Sequence, residues 1–480
     1  MMFLEFFIWG AWLPASFGFF GKDALNFTAK TTLFGLEIPW QEMGLTLAFP
    51  ISAIIAMFFA NQFVDRNFAA QKYLAFSHFI GGLAMLGFGY LAWSSFQGEQ
   101  PAVPSYWLFF ACMAIHCIFY VPTISVTNSI AFANIKDAQK DFGPVRLWGT
   151  IGWIAAAWPF VFILLDWSKI PAMNEAAGFI KWLGTAFGTQ LSGTALNQGK
   201  SWAFLTSGIA SIALAVFSLL LPHTPPKPIQ AGEGKLAWLE SMKLLKHPFL
   251  IVLFIVTLID ATVHDGFFFF AFDYLGDVGV PKNWIQAAMS IGQIAEIGTM
   301  AFLGLVLKRL GWRYTMIFGI LGHTARFAVF AFLPDPYWAV AVNILHGVCY
   351  AFFFATLYIL VDEVFPKDAR TSAQGLFNFL ILGLGPIVSR FLWPVIKGKF
   401  VVTTRAVAPG ETVTTEVING IVTRFVAAAD GTKDIVETVD YRTMLLYPAV
   451  IAFVAAILLL LFFHPPKIEA NPSGTPSTAH

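Results

Sequence analysis

The feature that most constrains this chain is a succession of apolar runs, each long enough to cross a bilayer as a helix. A membrane helix needs about 20 mainly apolar residues. Runs of that kind fall near 3–21, 42–64, 73–95, 104–132, 145–166, 201–222, 248–274, 284–306, 314–333, 336–362, 371–395 and 442–464. In lipid no water satisfies the backbone, so such runs must close their own hydrogen bonds as helices. Composition points the same way: 57% of the 480 residues are hydrophobic and 12% charged, against about 25% charged in a soluble domain. The expected fold class is an all-α polytopic membrane protein. A net charge of +1 argues for neither nucleic acid nor an acidic partner.

An even number of spans puts both termini on one side, and Lys and Arg decide which. The terminus side receives Arg66, Lys72, Lys136, Lys140, Arg146, Lys227, Lys235, Lys243, Lys246, Lys308, Arg309, Arg313, Lys367, Arg370 and Lys467. The opposite loops hold fewer, so both termini are expected in the cytoplasm. The N-terminal MMFLEFFIWGAWLPASFGFF lacks a basic leader and carries Glu5, which reads as an uncleaved first span.

The spans divide into two sets of six. Residues 1–222 form the first bundle and 248–464 the second, with a Pro-rich then basic cytoplasmic linker at 223–247 and a cytoplasmic tail at 465–480. NQFVDRNFAAQKY (61–73) after span two and GLVLKRLGWRYTM (304–316) after span eight are basic turns at equivalent positions. Both resemble, in degenerate form, the short loop motif of the major facilitator superfamily. Such internal symmetry is expected of a transporter with its site near the midplane between two bundles. Within 396–441, TTEVINGIVTRF places Asn419-Gly420 between short alternating runs, which predicts a small extracytoplasmic β-hairpin, read as a decoration before a lid.

Ionisable residues inside spans are expensive and mark function by default. Among them are Glu5, His116, Arg146, Asp260, His264, Asp265, Glu296, His323, Arg326, His346 and Arg390. Arg326 and Arg390 are expected near span ends or in structural pairs, and His116 and His323 as buried, hydrogen-bonded side chains. CMAIHC brings Cys112, His116 and Cys117 together, but only Cys112 and His116 share a helix face, so packing is preferred and no metal is expected. Three sets stand out. Arg146, Thr150 and Trp153 follow i, i+4, i+7 spacing on span five and share one face, flanked by Gly149 and Gly152, which admit a helix or ligand closely. Gln293 and Glu296 share a face of span eight, and a buried carboxylate beside a polar solute suits proton coupling. Asp260, His264 and Asp265 on span seven include an Asp–His pair at i, i+4, a second possible relay.

At these residues the chain resembles the nucleoside:proton symporter family of the major facilitator superfamily. The resemblance runs through YVPTISVTNSIAFANIKDAQKDFGPVRLWGTIGW (120–153), FFIWGAWLP (6–14), MSIGQIAEIG (289–298) and RTSAQGLF (370–377), and leaves out 396–441. It implies 12 transmembrane helices in two six-helix bundles and proton-driven nucleoside uptake through alternating access to one central site. It implies a bacterial inner membrane and no cofactor. A monomer, with the lipid bilayer as its surroundings, is expected. The family's binding residues carry over as Arg146, Thr150, Trp153, Gln293 and Glu296. On span seven, His264 and Phe267 stand where the family has glutamine and asparagine. On span ten, His346, Tyr350 and Ala351 stand where it has tyrosine, phenylalanine and aspartate. In this reading Arg146, Thr150, Gln293, His264 and His346 bond ribose or base, and Trp153, Phe267 and Tyr350 stack on the ring. Glu296 carries or gates the proton, with Asp260, Asp265 and Glu5 as further coupling carboxylates. The departures leave open another polar solute, such as a sugar or a modified nucleoside. An integral-membrane enzyme or a receptor is disfavoured: HExxH, a Gly-rich phosphate loop and GxSxG are all missing.

Overall fold

The computed structural model describes residues 1–33, 35–60, 64, 66–98, 100–136, 138–226, 248–364, 374–407, 411–427 and 432–464. Residues 227–247 of the expected linker, 370–373 of RTSAQG and the tail 465–480 lie outside them. The helices in chain order are α1 (Met2–Ser16), α2 (Trp40–Ile55), α3 (Ala70–Ser94), α4 (Tyr106–Asn134), α5 (Ala138–Ala157, resumed at Phe160–Ile163), α6 (Phe179–Gly188) and α7 (Gly193–Ser218). They continue as α8 (Pro248–Asp277), α9 (Ile285–Phe332), α10 (Pro336–Val364), α11 (Gln374–Phe400) and α12 (Tyr441–Phe462). Among the described residues, ten helices are long and apolar enough to cross a membrane.

Two differences from the expected spans have simple causes. The runs 284–306 and 314–333 are joined in α9, a 48-residue helix that turns at Gly311, where φ 69° and ψ 175° break the helical path. Only a residue without Cβ takes that φ without strain. The first span is short as a helix, 15 residues with Pro14 inside, and continues to Phe27 through turns bonded back on Ser16, Phe19, Phe20 and Gly21. Helical segments with i→i+5 bonding occupy Ala56–Ala60 after α2, Tyr350–Ala355 in α10 and Phe379–Leu384 in α11. Such wide turns often occur at functional positions.

The buried apolar residues fall into two main clusters. One joins Ile8 to Leu214; the other joins Leu250 to Phe463 and takes in Phe17 from α1. The face carrying the chain ends is called the terminal face, and its opposite the distal face. On the distal face β1 (Thr31–Leu33) pairs with β2 (Leu36–Ile38). There too lies a four-stranded antiparallel sheet, in the order β3 (Val401–Thr403), β6 (Lys433–Asp440), β5 (Ile421–Ala427), β4 (Val413–Ile418). The Asn419-Gly420 turn is formed, with φ 53° and 80° and Ile418 opposite Ile421. The expected hairpin is thus half of a larger sheet, because β3 and β6 extend α11 and lead into α12 and pair across the hairpin. Helix α6 was also not expected, since its ten residues are too short to register as a span.

Candidate functional site

Glycines decide how α1 meets α5. A Cβ on Gly152 would lie 2.1 Å from the Phe3 carbonyl oxygen, one on Gly149 2.7 Å from the Phe6 ring, and one on Gly10 2.9 Å from the Trp153 Cα. The close approach foreseen for Gly149 and Gly152 is therefore made by a helix. It lays the Arg146 guanidinium carbon 3.8 Å from the centre of the Phe6 ring and sets Trp153 edge-on to Trp9 at 5.4 Å. Trp9 in turn stacks on Phe49 at 5.0 Å. Because α5 begins at Ala138, Arg146 sits about 12 Å along the helix, near the start of the apolar stretch Phe142–Ile163.

From the other side α9 passes tightly over α10: a Cβ on Gly347 would lie 2.3 Å from the Glu296 nitrogen. Glu296 and Tyr350 both lie within electrostatic reach of Arg146. Arg146, Thr150, Trp153, His264, Glu296 and Tyr350 are all half-buried. With Arg146, Glu296 and Tyr350 in mutual reach, the stripes of α5 and α9 face one another. Gln293 is buried with Oε1 unpartnered, one turn from Glu296.

The remaining expected residues are differently placed. Phe267 is fully buried and covers the Arg326 guanidinium at 3.9 Å, so its ring is occupied inside the protein. Ala351 is fully buried too. His346 is 2% exposed and its Nδ1 accepts from Arg326 at 2.7 Å. Arg326, expected near a span end or in a structural pair, is fully buried between His346 and His323, whose Nδ1 accepts at 2.9 Å. The Asp260–His264 pair read from the spacing does not form: Asp260 faces His323 at 3.7 Å, and His264 Nδ1 is unpartnered. Asp265 accepts from Arg390 and, at 2.5 Å, from Ser389. Glu5 is fully buried and fully engaged, by His78 at 2.9 Å and by Thr123 at 2.8 Å. His116 Nδ1 donates to the Gly81 carbonyl at 2.9 Å, and Cys112 and Cys117 are free thiols. The sequence reads His323 and Arg326 as structural groups and does not join them to the site. Their signal, two ionisable groups three apart in an apolar run, was visible, but their partners on α8 and α10 were not. A recess of about 380 Å³ lined by Trp158, Trp284, Ile291, Tyr337 and Val340 is apolar and contains none of the site residues.

The distal face is tied shut between the two sets of helices. Asn283 donates to the Val161 and Phe187 carbonyls at 3.1 and 2.9 Å, and the Trp284 indole donates to Phe187 at 2.9 Å. Lys22 donates to Glu437 of β6, which also accepts from Arg424. Arg424 reaches Asp277 at 2.5 Å, and the Tyr441 hydroxyl donates to the same carboxylate at 2.8 Å. Burial alone would raise the Glu437 carboxyl, but the Lys22 bond and the Arg424 charge outweigh it and hold it below the ordinary value.

The pattern described as nucleoside H+ symporter matches residues 1–177 and 171–468. The chain belongs to the nucleoside H+ symporter family. This symporter is 30% identical over 469 residues to YegT of Escherichia coli (strain K12), which carries the name of a nucleoside transporter, covering 96% of this chain and 92% of that one. It is 24% identical over 412 residues to the xanthosine permease of the same organism, covering 82% and 85%. The crystal structure of the nucleoside transporter NupG superposes with a TM-score of 0.67 at 21% identity, over 96% of this chain and 97% of that one. That likeness carries the fold, the major facilitator arrangement, and a multi-pass membrane protein follows from it.

Proposed function

We propose that this symporter takes up a nucleoside across the bacterial inner membrane together with protons, by alternating access to the cleft between α5 and α9. The observation that carries the reading is Arg146 of α5 within reach of Glu296 and Tyr350 on the opposing helices. A fixed cation, a carboxylate and the Thr150 hydroxyl bond the hydroxyls and ring edge of a polar solute, while Trp153 and Tyr350 offer π faces. Such sites combine apolar surface with a few placed polar groups. Gln293, whose Oε1 is free, and His264, whose Nδ1 is free, complete the set. His346 and Phe267 act from behind, through Arg326.

The Lys and Arg excess puts both termini in the cytoplasm, so the tied distal face is the outer one and the form described is closed to the outside. Residues 1–222 and 248–464 then move as two bundles about the cleft, as a monomer surrounded by lipid. Phe267 and Ala351 bring no hydrogen bond to the cleft where the family resemblance expects polar groups. That favours a second reading, a modified nucleoside or other polar solute.

Reconstituted protein given uridine, adenosine, xanthosine and simple sugars under an inward proton gradient tests this. Accumulation of a nucleoside, with loss of binding in Arg146→Ala, is the expected result. Absence of competition by every nucleoside would sink the reading.

A further inference from the structure

Four groups from three helices meet beside the cleft, and one of them has no partner. Arg326 gives one amine to His346 Nδ1 at 2.7 Å and the other to His323 Nδ1 at 2.9 Å. A guanidinium has only hydrogens to offer, so both ring nitrogens accept, and each neutral ring carries its hydrogen on Nε2. The Nε2–H of His323 therefore faces Asp260 Oδ1, 3.7 Å away, beyond hydrogen-bond reach. Asp260 is completely buried, and neither of its oxygens has a hydrogen-bond partner.

A buried ionised carboxylate without hydrogen bonds is costly, and Arg326 beside it cannot shed its charge. Two arrangements resolve this. With a proton on Asp260 the carboxyl is neutral, a poor acceptor, and stands off from His323. Without it, the carboxylate closes onto the His323 Nε2–H, and a neutral imidazole bridges it to Arg326. Asp260 is on α8, His323 and Arg326 on the second arm of α9, and His346 on α10, so one proton alters how three helices are tied. His264, one turn from Asp260, has its ring 4.7 Å from that of His346, 5.5 Å from that of His323 and 6.5 Å from that of Tyr350. Cys349 of α10 also faces this group.

The first half of the chain offers the contrast. There too a carboxylate on the first helix, Glu5, meets a histidine on the third, His78, but at 2.9 Å and with hydroxyls on both oxygens. The seventh and ninth spans repeat that pairing with the contact opened.

Resting on the symport reading above, we propose that Asp260 is the proton-binding site of the transport cycle. His323, Arg326 and His346 are positioning residues that read its charge and pass it to His264 at the cleft. One H⁺ from the outside adds to the Asp260 carboxylate; when the terminal face opens, the same proton leaves to water and the carboxylate pairs with His323.

Proteoliposomes holding a trapped pH dye, given nucleoside without an imposed gradient, test the assignment. Wild-type protein is expected to carry protons inward with nucleoside; if it moves none with any nucleoside, the symport reading itself fails. Asp260→Asn is expected to lose nucleoside-driven proton movement, and its nucleoside binding to lose its dependence on pH. Proton movement equal to wild type in that variant overturns the proposal. His323→Gln is expected to shift the pH at which binding changes, which a packing role would not do. Should Asp260→Asn not fold, labelling of Asp260 by a hydrophobic carbodiimide in the unmodified protein decides. Such reagents attack the protonated acid, so labelling is expected to fall as pH rises and to depend on nucleoside. Labelling indifferent to pH overturns the proposal.

Discussion

Glu437→Gln separates two roles that one carboxylate plays on the distal face. Glu437 is nearly buried, its side chain 4% exposed, and accepts from Lys22 and from Arg424. Arg424, in the same sheet, stays beside it whatever the two bundles do, whereas Lys22 follows α1. The change keeps the side chain's shape and an acceptor oxygen but removes its charge. Against Arg424 it replaces an ion pair with a guanidinium–amide bond that the Arg charge still assists, so the sheet loses about 1 kcal/mol or less of stability. Against Lys22, whose side chain is 54% exposed, solvent screening holds the loss to about 1 kcal/mol at most. Only this second loss bears on closure, and it corresponds to about a fivefold gain of the distal-open form. Nitroxide labels at Lys169 and Thr415, one on each side of the interface, read that ratio by pulsed electron resonance in liposomes. The same reasoning fixes the pH sense. Because the Glu437 carboxyl is held below its ordinary value, its contribution is complete above the ordinary glutamate range and is lost only as pH falls through the lower, folded value. Wild-type protein therefore keeps its balance of closed and open forms in mildly acidic medium and shifts it by up to about fivefold toward the distal-open form in stronger acid, and Glu437→Gln is indifferent to that step. Identical distance distributions in variant and wild type, together with an unchanged response to acid, would refute the reasoning.

Two further substitutions probe the packing that sets the site. Gly152→Ala places a methyl 2.1 Å from a backbone oxygen, which cannot give way as a side chain can; about 1–3 kcal/mol of overpacking strain is expected as a lower unfolding temperature. Glu5→Gln leaves His78 without its anion in a fully buried network. Its cost, up to about 3 kcal/mol, is expected as lost thermal stability, and a variant as stable as wild type would show that the pair contributes nothing.

The reading of spans, family and stripes came from patterns that are local along the chain. Arg146, Thr150 and Trp153 share a face by helical periodicity alone, and Asn419-Gly420 announces its own turn. Where the reading failed, the deciding partner was distant in sequence. Asp260 and His264 have the right spacing for a pair, yet the carboxylate faces His323, 63 positions away along the chain. Phe267 looked like a stacking plate for a solute, and Arg326 took it. Strands β3 and β6, inside the 396–441 loop, carry no such local sign, because what makes them strands is each other and β5.

By itself the sequence determined that this protein lies in a membrane as a bundle of helices of the nucleoside H+ symporter family, since bilayer thickness and backbone satisfaction act on every apolar run independently. Only tertiary structure decided which buried charges are neutralised. A charge in a low-dielectric interior takes its character from groups within a few ångströms, and those come from helices that the chain order leaves far apart. Glu5 and Asp260 look alike in sequence, each a carboxylate within an apolar helix. Packing gives the first a full set of donors and leaves the second with none.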